Sequence, residues 1–239
     1  MTKKIINQNS KLNQELINTI DTKFIFTDKP INRLNILNTD NSVQRIHKEQ
    51  LLQNLKNQIN SIENCNLKEN SSKIILGEGD INSSLMLIGE APGAEEERLG
   101  IPFKGEVGEL LNKMLIAIDI KRQNIYTSYI INFRPPEDRK PTTKEIKRYS
   151  IFIKEHISII NPKIIILMGS SAMEAVTGIN NKISSERGKW IETIIKNKTY
   201  PVMITYNPSY LIRFPENKKY SWEDLKKIKQ KIIKMKIII

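Results

Sequence analysis

Residues 88–105 read IGEAPGAEEERLGIPFKG and hold four glycines, two prolines and four glutamates in 18 positions. The 239-residue chain has only ten glycines in all. Gly89 and Gly93 bracket Glu90-Ala91-Pro92. Small residues let a backbone and a ligand approach closely, and proline stiffens a turn. Glu90 is the first side chain after the apolar run SLMLIG. A strand there would deliver its carboxylate to a strand end, a usual place for a catalytic group in such an architecture. An ordinary strand-to-helix loop whose glutamate caps a helix would use the same residues.

The elements that would position this stretch follow from the hydrophobic pattern. Apolar runs of strand length occur at 84–89, 124–131, 163–169 and 201–206. Helical stretches separate or follow them at 108–118, 143–160, 170–178 and 218–236. Continuous apolar strands alternating with helices indicate a parallel sheet covered on both faces. Ligands of such sheets bind at the carboxyl ends of the strands, which is where 88–105 begins. Every glycine lies between Gly77 and Gly188, so that window holds the tight turns. Upstream, Leu12, Leu16, Ile17 and Ile20 have helical spacing, and 27–42 reads as a linker. A helix over 44–61 would place Ile46, Leu51, Leu52, Leu55 and Ile59 on one face. We therefore expect an amino-terminal extension over 1–45 and an α/β domain over 46–239.

Composition bounds the function. Hydrophobic residues make up 39% of the chain, which fits a globular protein. The net charge is +12. Nucleic acid is the natural partner for such a charge, although lysine drift in an AT-rich genome would produce the same balance. The amino terminus MTKKIINQNSKLNQ lacks the unbroken apolar core of a signal peptide. No apolar run approaches the length that spans a bilayer. A cytoplasmic protein without membrane contact is expected, and a monomer. The single cysteine, Cys65, rules out an intrachain disulfide and an all-cysteine metal site. His47 and His156 lie in expected helices without a partner at ligand spacing and read as structural or surface residues.

The stretch GEAPGAEEERLGIPFKGEVG resembles the first motif of the family 4 uracil-DNA glycosylases, the iron–sulfur branch found in bacteria and archaea. Further segments resemble that family in its order: the run-in GEGDINSSLMLIGEAPG, then RPPEDRKPT, then PKIIILMGSSAMEAVTG, then TYNPSYLIR, where the family usually has Thr-x-His-Pro-Ser-x-Leu-Leu-Arg. The resemblance covers about residues 60–235. It implies a three-layer α/β/α sandwich with a central, mainly parallel four-stranded sheet. It also implies an enzyme that flips a deaminated base out of DNA and hydrolyses its N-glycosidic bond. Carried over by motif, Glu90 positions or activates the water, Gly89 and Ala91 lend backbone to the base, and Glu96 is an acid beside the base pocket. Phe103 stacks on the uracil ring. Pro208, Ser209 and Arg213 hold phosphates, and Leu211 wedges into the gap left by the flipped base.

Three departures accompany the resemblance. The family's cluster is held by four cysteines, whose places here are Ile62, Cys65, Phe133 and Tyr149. One thiol cannot hold such a cluster, so no cofactor is expected, and Phe133 and Tyr149 are expected to fill its volume. Asn207 stands where the family has histidine; its amide can donate a hydrogen bond but stays neutral. Tyr129 stands where the family has an asparagine that reads the uracil edge, and a phenol offers only one donor in a larger body. These substitutions leave two alternatives open: a glycosylase for another deaminated base such as hypoxanthine or xanthine, or a relative that binds DNA without cleaving. A third places partner recruitment on residues 1–45 and the last basic helix.

Overall fold

The computed structural model describes the backbone of residues 33–239 and the side chains of residues 43–239. Expectations for residues 1–32, the short helix around Leu12–Ile20 among them, lie outside the described residues. The chain divides into two units, Met1–Asn41 and Ser42–Ile239; the second carries the sheet and the site.

Six strands form one sheet: β1 (Gly77–Gly79), β2 (Leu85–Gly89), β3 (Tyr126–Tyr129), β4 (Ile164–Met168), β5 (Trp190–Ile195) and β6 (Lys198–Thr205). Their order is β1-β3-β2-β4-β6-β5. The central four pair in parallel. They are the four strands expected from the apolar runs. Both edges are antiparallel additions that the pattern did not reveal. Gly77-Glu78-Gly79 has no hydrophobic signal, and Trp190–Ile195 is only half-buried for most of its length.

The central strands are apolar on both faces because both faces are covered. Side chains alternate between two core clusters with the two-residue period of a strand. Met86, Ile88, Ile165 and Leu167 enter the first; Leu85, Leu87, Ile164 and Ile166 enter the second. The first is closed by α1 (Arg33–Asn60) through Leu52, Leu55 and Ile59, by α5 (Thr143–Ile160), and by α6 (Ser170–Thr177). The second is closed by α4 (Gly105–Ile116), by α8 (Pro208–Arg213) and by α9 (Lys218–Lys234). This is a three-layer α/β/α sandwich. Short helices α2 (Asn66–Glu69), α3 (Ala94–Leu99) and α7 (Ile183–Glu186) occupy the connections. No helix among the described residues is long and apolar enough to cross a membrane.

Helix α5 occupies the expected span because its ends are written in the sequence. Thr142 Oγ1 accepts the Glu145 N–H, and the Glu145 carboxylate accepts the Thr142 N–H. Asn161 stops the helix in the left-handed conformation. Helix α1 differs from expectation: it reaches back to Arg33, into the stretch read as a linker. Between Pro30 and Gly77 there is neither proline nor glycine to break it. The expected boundary at 45/46 and the division at 41/42 both lie within this helix, and Ile46 is exposed rather than packed.

The four positions expected to correspond to cluster ligands lie in or against the first core cluster. Cys65, Phe133 and Tyr149 are buried in it and Ile62 packs on it. Cys65 Sγ lies 3.4 Å from the Tyr149 hydroxyl. One thiol amid packed carbon does not fit an iron–sulfur cluster, which needs a ligand at each iron. Among the described residues no three of His, Cys, Asp and Glu are grouped to hold a metal ion. Phe133→Ala, by emptying this packed volume, should lower unfolding free energy by about 3–5 kcal/mol in urea denaturation.

His156 of α5 is buried between the Tyr126 hydroxyl, 2.9 Å from Nε2, and Ser128 Oγ, 3.3 Å from Nδ1. Burial pushes its imidazole down to about 3. The unfolded chain binds a proton near pH 6.5 that the folded chain refuses until about 3. This contribution to stability is complete above pH 6.5 and is lost as pH falls through that window, by at most about 1.4 kcal/mol per pH unit. A pH series of urea melts should show that slope, and His156→Gln should remove it.

Candidate active site

The strand order reverses at β2: the chain runs from β2 to β3 on one side, then crosses to β4 on the other. At such a switch point the loops diverge and leave a crevice at the carboxyl ends. A cavity of about 480 Å³ lies there, within the usual range for small-ligand sites. Glu90, Ala91, Glu96, Tyr129, Asn207, Ser209 and Arg213 all line it. Residues more than a hundred positions apart in the chain thus meet at one opening.

Glu90 leaves the end of β2 and is fixed from the neighbouring strand's exit. Its Oε1 accepts the Ser171 N–H at 2.9 Å and the Ser170 hydroxyl at 3.4 Å, both at the start of α6. Gly169, with φ of 108°, makes room: a Cβ there would lie 2.5 Å from the Glu90 carboxyl carbon. The carboxylate remains half-buried and faces the cavity.

Glu96 is 5% exposed, and its carboxylate is a bracket. Oε2 accepts the Gly93 N–H at 3.0 Å. Oε1 accepts the Lys104 N–H at 3.1 Å and the Tyr129 hydroxyl at 3.2 Å. Tyr129 in turn accepts the Phe103 N–H at 3.0 Å. Burial, then the negative charge of Glu96, pushes the Tyr129 phenol well above its ordinary value, so it stays a donor.

The Tyr129 ring stacks on Phe103, with centroids 4.7 Å apart and planes 30° from parallel. The Arg122 guanidinium lies 5.4 Å from the same Phe103 ring. Phe103 and Tyr129 are each 3% exposed, and of the two Tyr129 lines the cavity. The expected platform is therefore covered by the tyrosine. Gly89 acquires a different purpose as well. A Cβ there would lie 2.7 Å from both the Phe103 and Tyr129 rings, so this glycine admits the two rings rather than a ligand.

Asn207 caps α8: its Oδ1 accepts the Ser209 N–H at 3.0 Å and the Ser209 hydroxyl at 3.1 Å. This fixes the amide, and Nδ2 lies 3.4 Å from the Met168 carbonyl. An amide nitrogen carries two N–H donors, so one remains for a ligand in the cavity. Pro208 is buried at the first helical position, and Arg213 is exposed at the last. Leu211 departs from expectation. At 1% exposure it belongs to the second core cluster with Leu225 and Met114. The inward face of a one-and-a-half-turn helix has claimed it, and it is not presented as a wedge.

Sequence reasoning missed the third wall, the loop from β3 to α5. Asp138, Arg139 and Lys140 line the cavity. Glu137 and Asp138 both have positive φ, 56° and 54°, a conformation that costs energy for non-glycine residues. Arg134 holds the bend with two bonds to Asp138, at 2.7 and 3.1 Å, and a third to Glu97. The available signal was two acids followed by two bases, Glu137-Asp138-Arg139-Lys140, enclosed by Pro135, Pro136 and Pro141.

Residues 76–228 match the family model described as the uracil DNA glycosylase superfamily. Among curated relatives, a Type-4 uracil-DNA glycosylase of Thermotoga maritima is 33% identical over 190 residues, covering 78% of this chain and 97% of that protein. One from Sulfurisphaera tokodaii is 33% identical over 75% of this chain and 84% of its own length. One from Archaeoglobus fulgidus is 28% identical over 74% and 91%.

Tyr129→Phe would keep the ring stack but leave the buried Phe103 N–H without its acceptor and Glu96 without one donor. Urea denaturation should show a loss of about 1–3 kcal/mol.

Proposed function

The chain belongs to the uracil DNA glycosylase superfamily, and on that premise we propose that it is a DNA glycosylase that hydrolyses the N-glycosidic bond of a deaminated base, uracil first among them, and leaves an abasic site. The observation that carries this reading is Glu90. Its carboxylate is held by a backbone N–H over a cavity whose other wall presents the fixed amide of Asn207.

The target bond is unreachable inside a duplex, so the nucleotide must be extruded into the cavity. The chain's net charge of +12 draws the strand in, and Ser209 and Arg213 meet its phosphates at the mouth. As the bond breaks, positive charge grows on the sugar and negative charge on the base. Glu90 stabilises the first and accepts a proton from the water that attacks C1′. The free N–H of Asn207 donates to the base oxygen that gains the second. The base departs as an anion and takes a proton from solvent, to which Glu90 gives up the one it accepted. With Phe103 covered, the base rests against Tyr129 and the Ala91–Gly93 backbone, outside the stacked pair.

The same stack supports a second reading. If Tyr129 leaves too little room for uracil, the protein binds DNA without cleaving it, or prefers another deaminated base. Labelled oligonucleotides carrying uracil, hypoxanthine or xanthine, treated with hot alkali after incubation, separate these. Wild-type protein should give strand scission at uracil, and Glu90→Gln should slow it about 10²–10⁴-fold. Binding without scission at any base would move the assignment to the second reading, and Tyr129→Asn would then be the variant expected to restore cleavage.

A further inference from the structure

Three aromatic rings run outward from the site. Tyr206, which directly precedes Asn207, stacks on Tyr210 with centroids 4.9 Å apart and planes 26° from parallel. Tyr210 meets Phe214 at 4.8 Å and 36°. Of the three only Tyr210 lies in α8, with Tyr206 before it and Phe214 directly after it, and the ring contacts themselves join them into a series. The inner rings are held: the Arg187 guanidinium lies 5.9 Å from the Tyr206 ring, and Asn217 Nδ2 donates to the Tyr210 hydroxyl at 3.4 Å. Exposure rises along the series, from 5% at Tyr206 to 45% at Phe214. The ladder thus ends in a ring tilted against an aromatic neighbour and nearly half exposed to solvent. Arg213, one residue before it, is exposed and lines the cavity. Lys218 and Lys219 follow at the start of α9, with Glu216 the one acidic residue between.

We propose that Phe214 is a stacking subsite for the unpaired base next to the nucleotide that enters the cavity. A nucleobase has the flat π-face that continues such a ladder, and its linking phosphate falls to Arg213. Base–aromatic stacking is tolerant of sequence and adds substantially to single-strand binding. In an intact duplex the neighbouring base is paired and stacked between its own neighbours. It reaches Phe214 only after unpairing, so this subsite makes single-stranded or locally melted DNA the preferred substrate class. The identity of the neighbouring nucleotide rests on the function proposed above; the stacking itself does not.

The test uses the full chain and single-stranded oligonucleotides with one uracil and 5-iododeoxycytidine placed directly 5′, directly 3′, or several nucleotides away. Near-ultraviolet irradiation crosslinks a halogenated pyrimidine to an aromatic ring stacked on it, and mass spectrometry of the digest locates the bond. A crosslink on Phe214 from one adjacent position, absent from the distant one, is expected. Phe214→Ala and Phe214→Leu should weaken single-strand binding by about 5- to 100-fold in fluorescence anisotropy, while Phe214→Tyr keeps it and duplex binding changes little. Full single-strand affinity in Phe214→Leu, or crosslinks confined to other elements, would overturn the proposal. Matched strands with thymine in place of uracil separate the two claims. A Phe214 crosslink without any preference for uracil would count against the proposed function and leave the stacking subsite standing.

Discussion

One buried carboxylate organises this site. Glu96 gathers the backbone of Gly93, the backbone of Lys104 and the hydroxyl of Tyr129. A carboxylate taken out of water must be matched by donors, and here the donors come from three separate segments. Satisfying Glu96 therefore closes the loop after β2 onto the end of β3. It fixes the backbone that lines the cavity beside Glu90, and it orients Tyr129 so that its ring covers Phe103. The shape of this side of the pocket is a consequence of that one requirement.

The two polar groups that face the ligand are placed independently and by different means. Glu90 is fixed by the start of α6, and Asn207 by its own role as the cap of α8. Both depend on the parallel sheet, which brings the exits of β2, β4 and β6 to one edge. The covered faces of the sheet supply the stability, and the crevice at the strand ends is left for polar groups that the core could not accommodate. Basic residues dominate the chain as a whole, whereas the acids concentrate in the loop that follows β2. A polyanion is thus attracted at long range, and a carboxylate is presented where a sugar would lie.

Much of this was legible in the sequence, because the signals were local. Four apolar runs gave the four central strands, and the helical stretch read over 143–160 gave α5. The convergence of Glu90, Asn207, Ser209 and Arg213 followed from the strand-end rule together with the motif resemblance. What was not legible depends on tertiary packing. The edge strands are set by pairing with a neighbour, not by hydrophobicity. Leu211 and Phe214 are both apolar residues on one short turn of chain, and only the packing of α8 decides which is buried. The Tyr129–Phe103 stack joins residues 26 positions apart through a backbone hydrogen bond, which no periodicity encodes. Tyr129 was recognised as an altered pocket residue, but the ring it covers could not be foreseen.

The account turns on where a flipped base lies relative to Tyr129. The most direct measurement is a crystal structure of the protein with DNA containing 2′-fluoro-2′-deoxyuridine, whose glycosidic bond resists hydrolysis. The account requires the uracil between Glu90 and Asn207, with Tyr129 still stacked on Phe103 and bonded to Glu96. A Tyr129 ring swung out of the site, with uracil stacked directly on Phe103, would contradict it.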